Sequence, residues 1–135
     1  MTTYLFVYGT LLRRSRHPMA RFLAERARYV GSAKVRGRLY DLGRYPGMLE
    51  PATESDWVHG DLYDLGEGTT TLAELDAYEL AESPLPAYFD RQLAMAALPN
   101  GTSAPAWVWW YRGEVSETQR VAAGRYEQNC DPETN

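Results

Sequence analysis

Cysteine occurs once in the 135 residues, as Cys130, so the chain can close no internal disulfide and must hold itself together with a hydrophobic core. The same scarcity fits a reducing compartment, and a cytoplasmic location is the expectation. Histidine is nearly as rare. His17 and His59 are the only two, too few and too badly spaced to make a metal site with Cys130, and no Ser-His-acid set is apparent. No metal is expected. Neither a Gly-x-x-x-x-Gly-Lys-Ser/Thr loop nor a Gly-x-Gly-x-x-Gly fingerprint occurs, so no nucleotide cofactor is expected either. Apolar residues are never consecutive for long enough to span a bilayer, and residues 1–30 hold six arginines and no cleavable apolar stretch, which excludes a membrane role from the reading.

What is present is ordinary for a globular chain: 44% hydrophobic and 24% charged residues, with a net charge of -4. The length suits one domain, expected over residues 1–128, with 129–135 as a flexible tail. Charge is unevenly distributed. Residues 1–40 contain nine of the 14 lysines and arginines but only one acid, Glu25, so the acidic excess lies wholly in the remainder. Folding can interleave the two halves, and the acidic total argues against nucleic acid as a partner.

Tyr4–Tyr8 is a short apolar run of aromatic and β-branched residues stopped by Gly9, the pattern of a buried strand. Pro18 then stands where the first turn of a helix tolerates it, and Met19, Phe22, Leu23 and Ala27 recur at helical steps. Residues 29–41 read as strand interrupted near Gly31, residues 42–48 as a Gly- and Pro-punctuated loop, and 58–65 as another strand. Thr69 or Thr70 caps a short helix carrying Leu72, Leu75 and Tyr78 and ending near Glu79, before Pro84 and Pro86 forbid continuation. Residues 88–98 and 104–111 read as strands joined by the turn Pro99-Asn100-Gly101, and a helical start is expected from Glu117. The tally is an α+β fold: a small mixed, mostly antiparallel β-barrel with two or three packed helices.

Two segments carry candidate chemistry. At Tyr8-Gly9-Thr10-Leu11, a strand ending on glycine lets successive amides converge on an anion, with Thr10 adding a hydroxyl; taken alone, the same residues are a strand followed by a turn. Glu79 sits between Tyr78 and Leu80, where partly dry surroundings would raise its pKa as a general base needs; from the helix alone, a solvated surface acid is the better reading. The aromatic strand Trp107, Trp109, Trp110 and Tyr111 alternates between faces, so at most half of it lines any one site.

Together these pieces resemble the gamma-glutamylcyclotransferase-like family. The resemblance rests on Tyr8-Gly9-Thr10-Leu11 after the first strand, Val58-His59-Gly60-Asp61-Leu62-Tyr63, Leu75-Asp76-Ala77-Tyr78-Glu79, Tyr88 with Arg91, the aromatic strand to Tyr111, and Gly124-Arg125-Tyr126 as a diverged Gly-Asp-Trp ending. It implies a small mixed barrel and release of 5-oxoproline from a small gamma-glutamyl substrate, with an amine or amino acid leaving and no cofactor. By the same resemblance Glu79 performs the proton transfers, and Tyr8, Gly9, Thr10, Leu11, Tyr88 and Tyr111 bind substrate. The family motif usually continues with glycine after the glutamate, whereas Leu80 follows here. That departure leaves substrate choice open and keeps a second reading alive, a small-molecule binding domain that retains the pocket without turnover. The oligomeric state is not legible.

Overall fold

The computed structural model describes residues 3–9, 18–42, 46–66, 73–74, 89–121 and 124. In chain order these form β1 (Tyr4–Val7), α1 (Pro18–Arg26), β2 (Arg28–Arg36), β3 (Arg38–Asp41), β4 (Pro46–Leu49), β5 (Trp57–Asp64), β6 (Phe89–Ala97), β7 (Ser103–Tyr111) and a 3₁₀ turn, Glu117–Gln119. Five strands close a barrel in the order β1-β5-β2-β6-β7. Every pairing in it is antiparallel except the closing one, where β1 runs parallel to β7 with Leu5 opposite Trp107.

The strands alternate between two apolar environments, which is why β1 reads as continuous apolar sequence. Phe6 and Tyr8 point into the barrel with Val35, Val58, Leu62, Val108 and Trp110, while Leu5 and Val7 point outward with Tyr63 and Trp109. The outer face is covered by α1. Leu23, completely buried, seats the helix there with Phe22 and Ala27 alongside, a burial contributing about 1.5–3 kcal/mol for the leucine. Pro18 opens α1, where its missing N–H costs nothing, and the Arg26 guanidinium lies 4.4 Å from the Phe22 ring centroid.

The expected barrel is observed, with a bulge in β2 where the pairing with β5 shifts between Tyr29 and Gly31. The β6–β7 turn uses the expected residues: Gly101 takes φ 91°, and the Asn100 side-chain carbonyl accepts from the Thr102 amide at 3.0 Å and hydroxyl at 2.6 Å. One expectation is overturned. Residues 42–48 read as a loop, yet Pro46–Leu49 pairs with Arg38–Asp41 as a second, two-stranded sheet. Proline is acceptable as the first residue of a strand, and Met48, fully buried beside Leu39 in the barrel cluster, anchors the hairpin. Besides α1, the described residues include the 3₁₀ turn that Ser116 and Gln119 cap reciprocally. Of the expected helix before Glu79, Ala73 and Glu74 are helical, and the rest lies outside the described residues, as does the expected tail at 129–135.

Candidate active site

Because β1 and β7 are parallel neighbours, their C-terminal ends emerge at the same end of the barrel. That topology brings Tyr8 and Gly9 into the neighbourhood of Tyr111, although a hundred residues of sequence separate them. The exit of β1 is shaped by glycine. A Cβ added to Gly60 on β5 would collide with the Val7 carbonyl oxygen, so β1 can run this close to β5 only where β5 has no side chain.

Tyr8 is 6% exposed and turns into the barrel, stacked on Phe6 with ring centroids 6.3 Å apart. Its hydroxyl donates to the Trp109 carbonyl at 2.6 Å, tying the end of β1 to the end of β7. As a donor the hydroxyl is thereby committed within the protein. Gly9 itself is fixed by close approach: a Cβ there would lie 2.8 Å from Cγ of Pro46.

Tyr111 ends β7 and is 5% exposed. Its ring is enclosed by two glycines. A Cβ on Gly47 would sit 3.0 Å from the Tyr111 Cβ and 3.1 Å from its Cγ, and one on Gly113 would collide with the phenolic oxygen. Pro46 and Gly47 of β4 thus form a wall that touches Gly9 on one side and Tyr111 on the other. Sequence reasoning missed this wall, having read those residues as loop; a proline-glycine pair flanked by Tyr45 and the apolar Met48 was the available signal. Tyr88 directly precedes Phe89, whose backbone is paired with Tyr111. Tyr88, Thr10, Leu11 and Glu79 lie outside the described residues.

The C-terminal glycine of the sequence pattern is explained structurally. Gly124 is buried with φ 72°, its carbonyl accepts from the His59 amide at 2.7 Å, and a Cβ there would strike the Trp57 carbonyl oxygen. This docks the chain's last described residue on β5, beside the Gly60 that admits β1.

Two described carboxylates have depressed pKa values, and both are structural. Asp56 is held below the usual range by amides of Thr53 and Ala52, helped by Arg120 at 3.1 Å. Asp64 is lowered by the Gly66 amide and then by Arg28 at 2.9 Å. Among the described residues no group of three His, Cys, Asp or Glu side chains could hold a metal ion, and no helix is long and apolar enough to cross a membrane.

Comparison with known proteins agrees with this architecture. The family described as "Gamma-glutamyl cyclotransferase, AIG2-like" matches residues 5–128. A protein of Vibrio cholerae serotype O1 named "Putative gamma-glutamylcyclotransferase" is 34% identical over 124 residues, covering 90% of this chain and 89% of its own. Among solved structures, an AIG2-like protein of Mus musculus superposes with a TM-score of 0.72 at 20% identity, covering 98% of this chain and 92% of that one. YkqA of Bacillus subtilis superposes with a TM-score of 0.67 at 18% identity; 93% of this chain matches there, spanning 40% of that longer protein. The fold is thus that of the AIG2-like barrels. The chain belongs to the AIG2-like gamma-glutamyl cyclotransferase family.

Proposed function

We propose that the protein is a cytoplasmic cyclotransferase that releases 5-oxoproline and an amine or amino acid from a small gamma-glutamyl substrate. Family membership over residues 5–128 carries the reading. The substrate's α-carboxylate rests against main-chain amides at Gly9, Thr10 and Leu11, while Tyr111 and Tyr88 wall the pocket. The geometry that supports this is the enclosure of Tyr111 by Gly47 and Gly113 and the tie of the Tyr8 hydroxyl to Trp109, which hold Gly9 and Tyr111 at the same end of the barrel. Tyr8 on this reading serves the site as a strut.

Glu79 takes a proton from the substrate's α-ammonium group, which is largely protonated near neutral pH. The freed nitrogen attacks the γ-carbonyl carbon, the ring closes, the bond from that carbon to the leaving nitrogen breaks, and Glu79 returns its proton to the departing amine. No cofactor is required by this balance. Nucleophile and electrophile belong to one molecule, so the protein's task is to hold the cyclising conformer; well-oriented intramolecular reactions reach effective molarities of roughly 10⁵ to 10⁸ M.

The test is a panel of gamma-glutamyl amines and gamma-glutamyl dipeptides incubated with the purified protein, with 5-oxoproline quantified by chromatography. Release from at least one class is expected. No release from any, together with a ligand-induced rise in melting temperature, would replace this reading with that of a binding domain.

A further inference from the structure

The antiparallel seam between β2 and β6 is short. Between β2 and β6 a single pair of described residues is in register, Lys34 with Ala97, whereas β6 runs on to Phe89. Continued antiparallel pairing would set Arg36 opposite Met95 and Arg38 opposite Leu93. Instead the chain leaves the sheet at Gly37, whose amide donates to the Asp56 carbonyl at 3.1 Å, and proceeds into the β3–β4 hairpin. The edge of β6 that faces β2 is therefore without a partner strand from Gln92 to Met95 among the described residues. An open cleft of about 600 Å³ lies along it, floored by Val35 and Trp110 and closed on the far side by Glu50 and Pro51. Leu93 and Met95, 55% and 57% exposed, are the large apolar residues that the described surface leaves in solvent.

The charges around this cleft are lopsided. Lys34 and Arg36 both stack on Trp57, at 4.3 and 4.6 Å from its ring centroid, and neither has a carboxylate partner among the described residues; Arg36 donates to the main-chain carbonyl of Glu54. Arg38, next on the same side, bonds the Glu50 carbonyl at 2.7 Å and the Tyr40 hydroxyl at 3.2 Å. Of the nearby acids, Glu50 and Asp90 share Arg112, at 2.9 and 3.5 Å, and Glu54 is exposed. What remains to meet a ligand is an open strand edge beside two cations stacked on Trp57.

We propose that this cleft binds an acidic peptide in extended conformation, which adds as a strand to β6 at Gln92–Met95 and sets its carboxylates against Lys34 and Arg36. Main-chain pairing supplies the affinity, as when a peptide extends an exposed sheet edge, and the alternation of side chains about a strand supplies the choice. Peptide residues facing outward meet the cations on Trp57, while alternate residues face Val35 and Trp110. An occupant pairing with four edge residues covers about 13 Å at the strand rise of ~3.3 Å per residue. Nothing in this depends on cyclotransferase chemistry, which uses the end of β1.

The experiment is fluorescence anisotropy on the intact protein with an end-blocked, fluorescein-labelled octapeptide of alternating Glu and Val, set against its Lys-Val counterpart. The acidic peptide should bind at least about tenfold more tightly, weakening as salt rises, and the Lys34→Glu/Arg36→Glu variant should invert the preference. Two further probes leave the protein unaltered: acidic peptides N-methylated at odd or at even residues. One frame should lose about tenfold and the other bind normally, since only alternate amides of an edge-bound strand face its partner. Amide shifts in ¹⁵N spectra should fall on Gln92–Ala97. Equal binding of the acidic and basic peptides, indifference to both methylation frames, or shifts elsewhere would overturn the proposal. So would sedimentation showing two copies of the chain paired through β6 and refusing peptide.

Discussion

Tyr8→Phe separates two roles that the sequence assigns to one residue. The hydroxyl donates to the Trp109 carbonyl at 2.6 Å inside a side chain that is 6% exposed, so its removal deletes a buried hydrogen bond and leaves a carbonyl with one donor fewer. Loss of one partner from a buried pair costs about 1–3 kcal/mol. The lower part of that range applies here, because Trp109 keeps its place opposite Arg91 in the β6–β7 ladder. For a domain of 135 residues a loss of about 1–2 kcal/mol lowers the melting temperature by roughly 4–8 °C. Phenylalanine fills the same volume, so no cavity term is added. If the hydroxyl is a strut, kcat/KM for gamma-glutamyl substrates falls by less than about tenfold, through slackening of the β1–β7 end. Differential scanning calorimetry and a 5-oxoproline assay on the same preparation provide both numbers. An unchanged melting temperature with a fall in kcat/KM of more than about a hundredfold would show that the hydroxyl addresses substrate, and the reasoning from burial would be wrong.

Gly47→Ala forces a methyl to 3.0 Å from the Tyr111 side chain, an overpacking expected to cost about 1–3 kcal/mol and to raise KM more than it lowers kcat, as steady-state kinetics would reveal. Gly124→Ala combines a left-handed φ of 72° with a collision at the Trp57 carbonyl, and urea denaturation should register a loss of about 1–3 kcal/mol. Asp56 is more acidic folded than unfolded, so its stabilising contribution is present above the unfolded pKa, near 4, and fades as pH falls through the folded one. Asp56→Asn should accordingly lower stability at pH 7 and flatten the decline of the melting temperature below about pH 4; parallel slopes for both proteins would remove Asp56 from the acid response.

The fold was legible where one environment dominates a whole element. β1 is apolar on both faces because it separates the barrel interior from the layer under α1, and Pro18 with Leu23 marks a helix by cap and period. β4 was not legible, because Pro46 and Gly47 spell a loop by local propensity. They are strand because Pro46–Leu49 pairs with Arg38–Asp41, and Gly47 there packs against Leu42 and against Tyr111, which is 64 residues away. The site divides in the same manner. Tyr8, Gly9 and Tyr111 were readable from motifs, but the commitment of the Tyr8 hydroxyl and the Pro46–Gly47 wall are consequences of the parallel β1–β7 closure. The cleft at β6 depends on where β2 quits the sheet, which no local pattern announces. Glu79 lies outside the described residues, so its role rests on resemblance and family membership.

The most direct measurement is the rate of 5-oxoproline release by wild type and Glu79→Gln on whichever gamma-glutamyl compound the wild type turns over fastest, with circular dichroism verifying the fold of both. Glutamine preserves the shape and removes the titrating carboxylate, so release should fall by about 10²–10⁴-fold, the usual worth of a general acid–base group. A Glu79→Gln protein that releases 5-oxoproline at the wild-type rate would contradict the account.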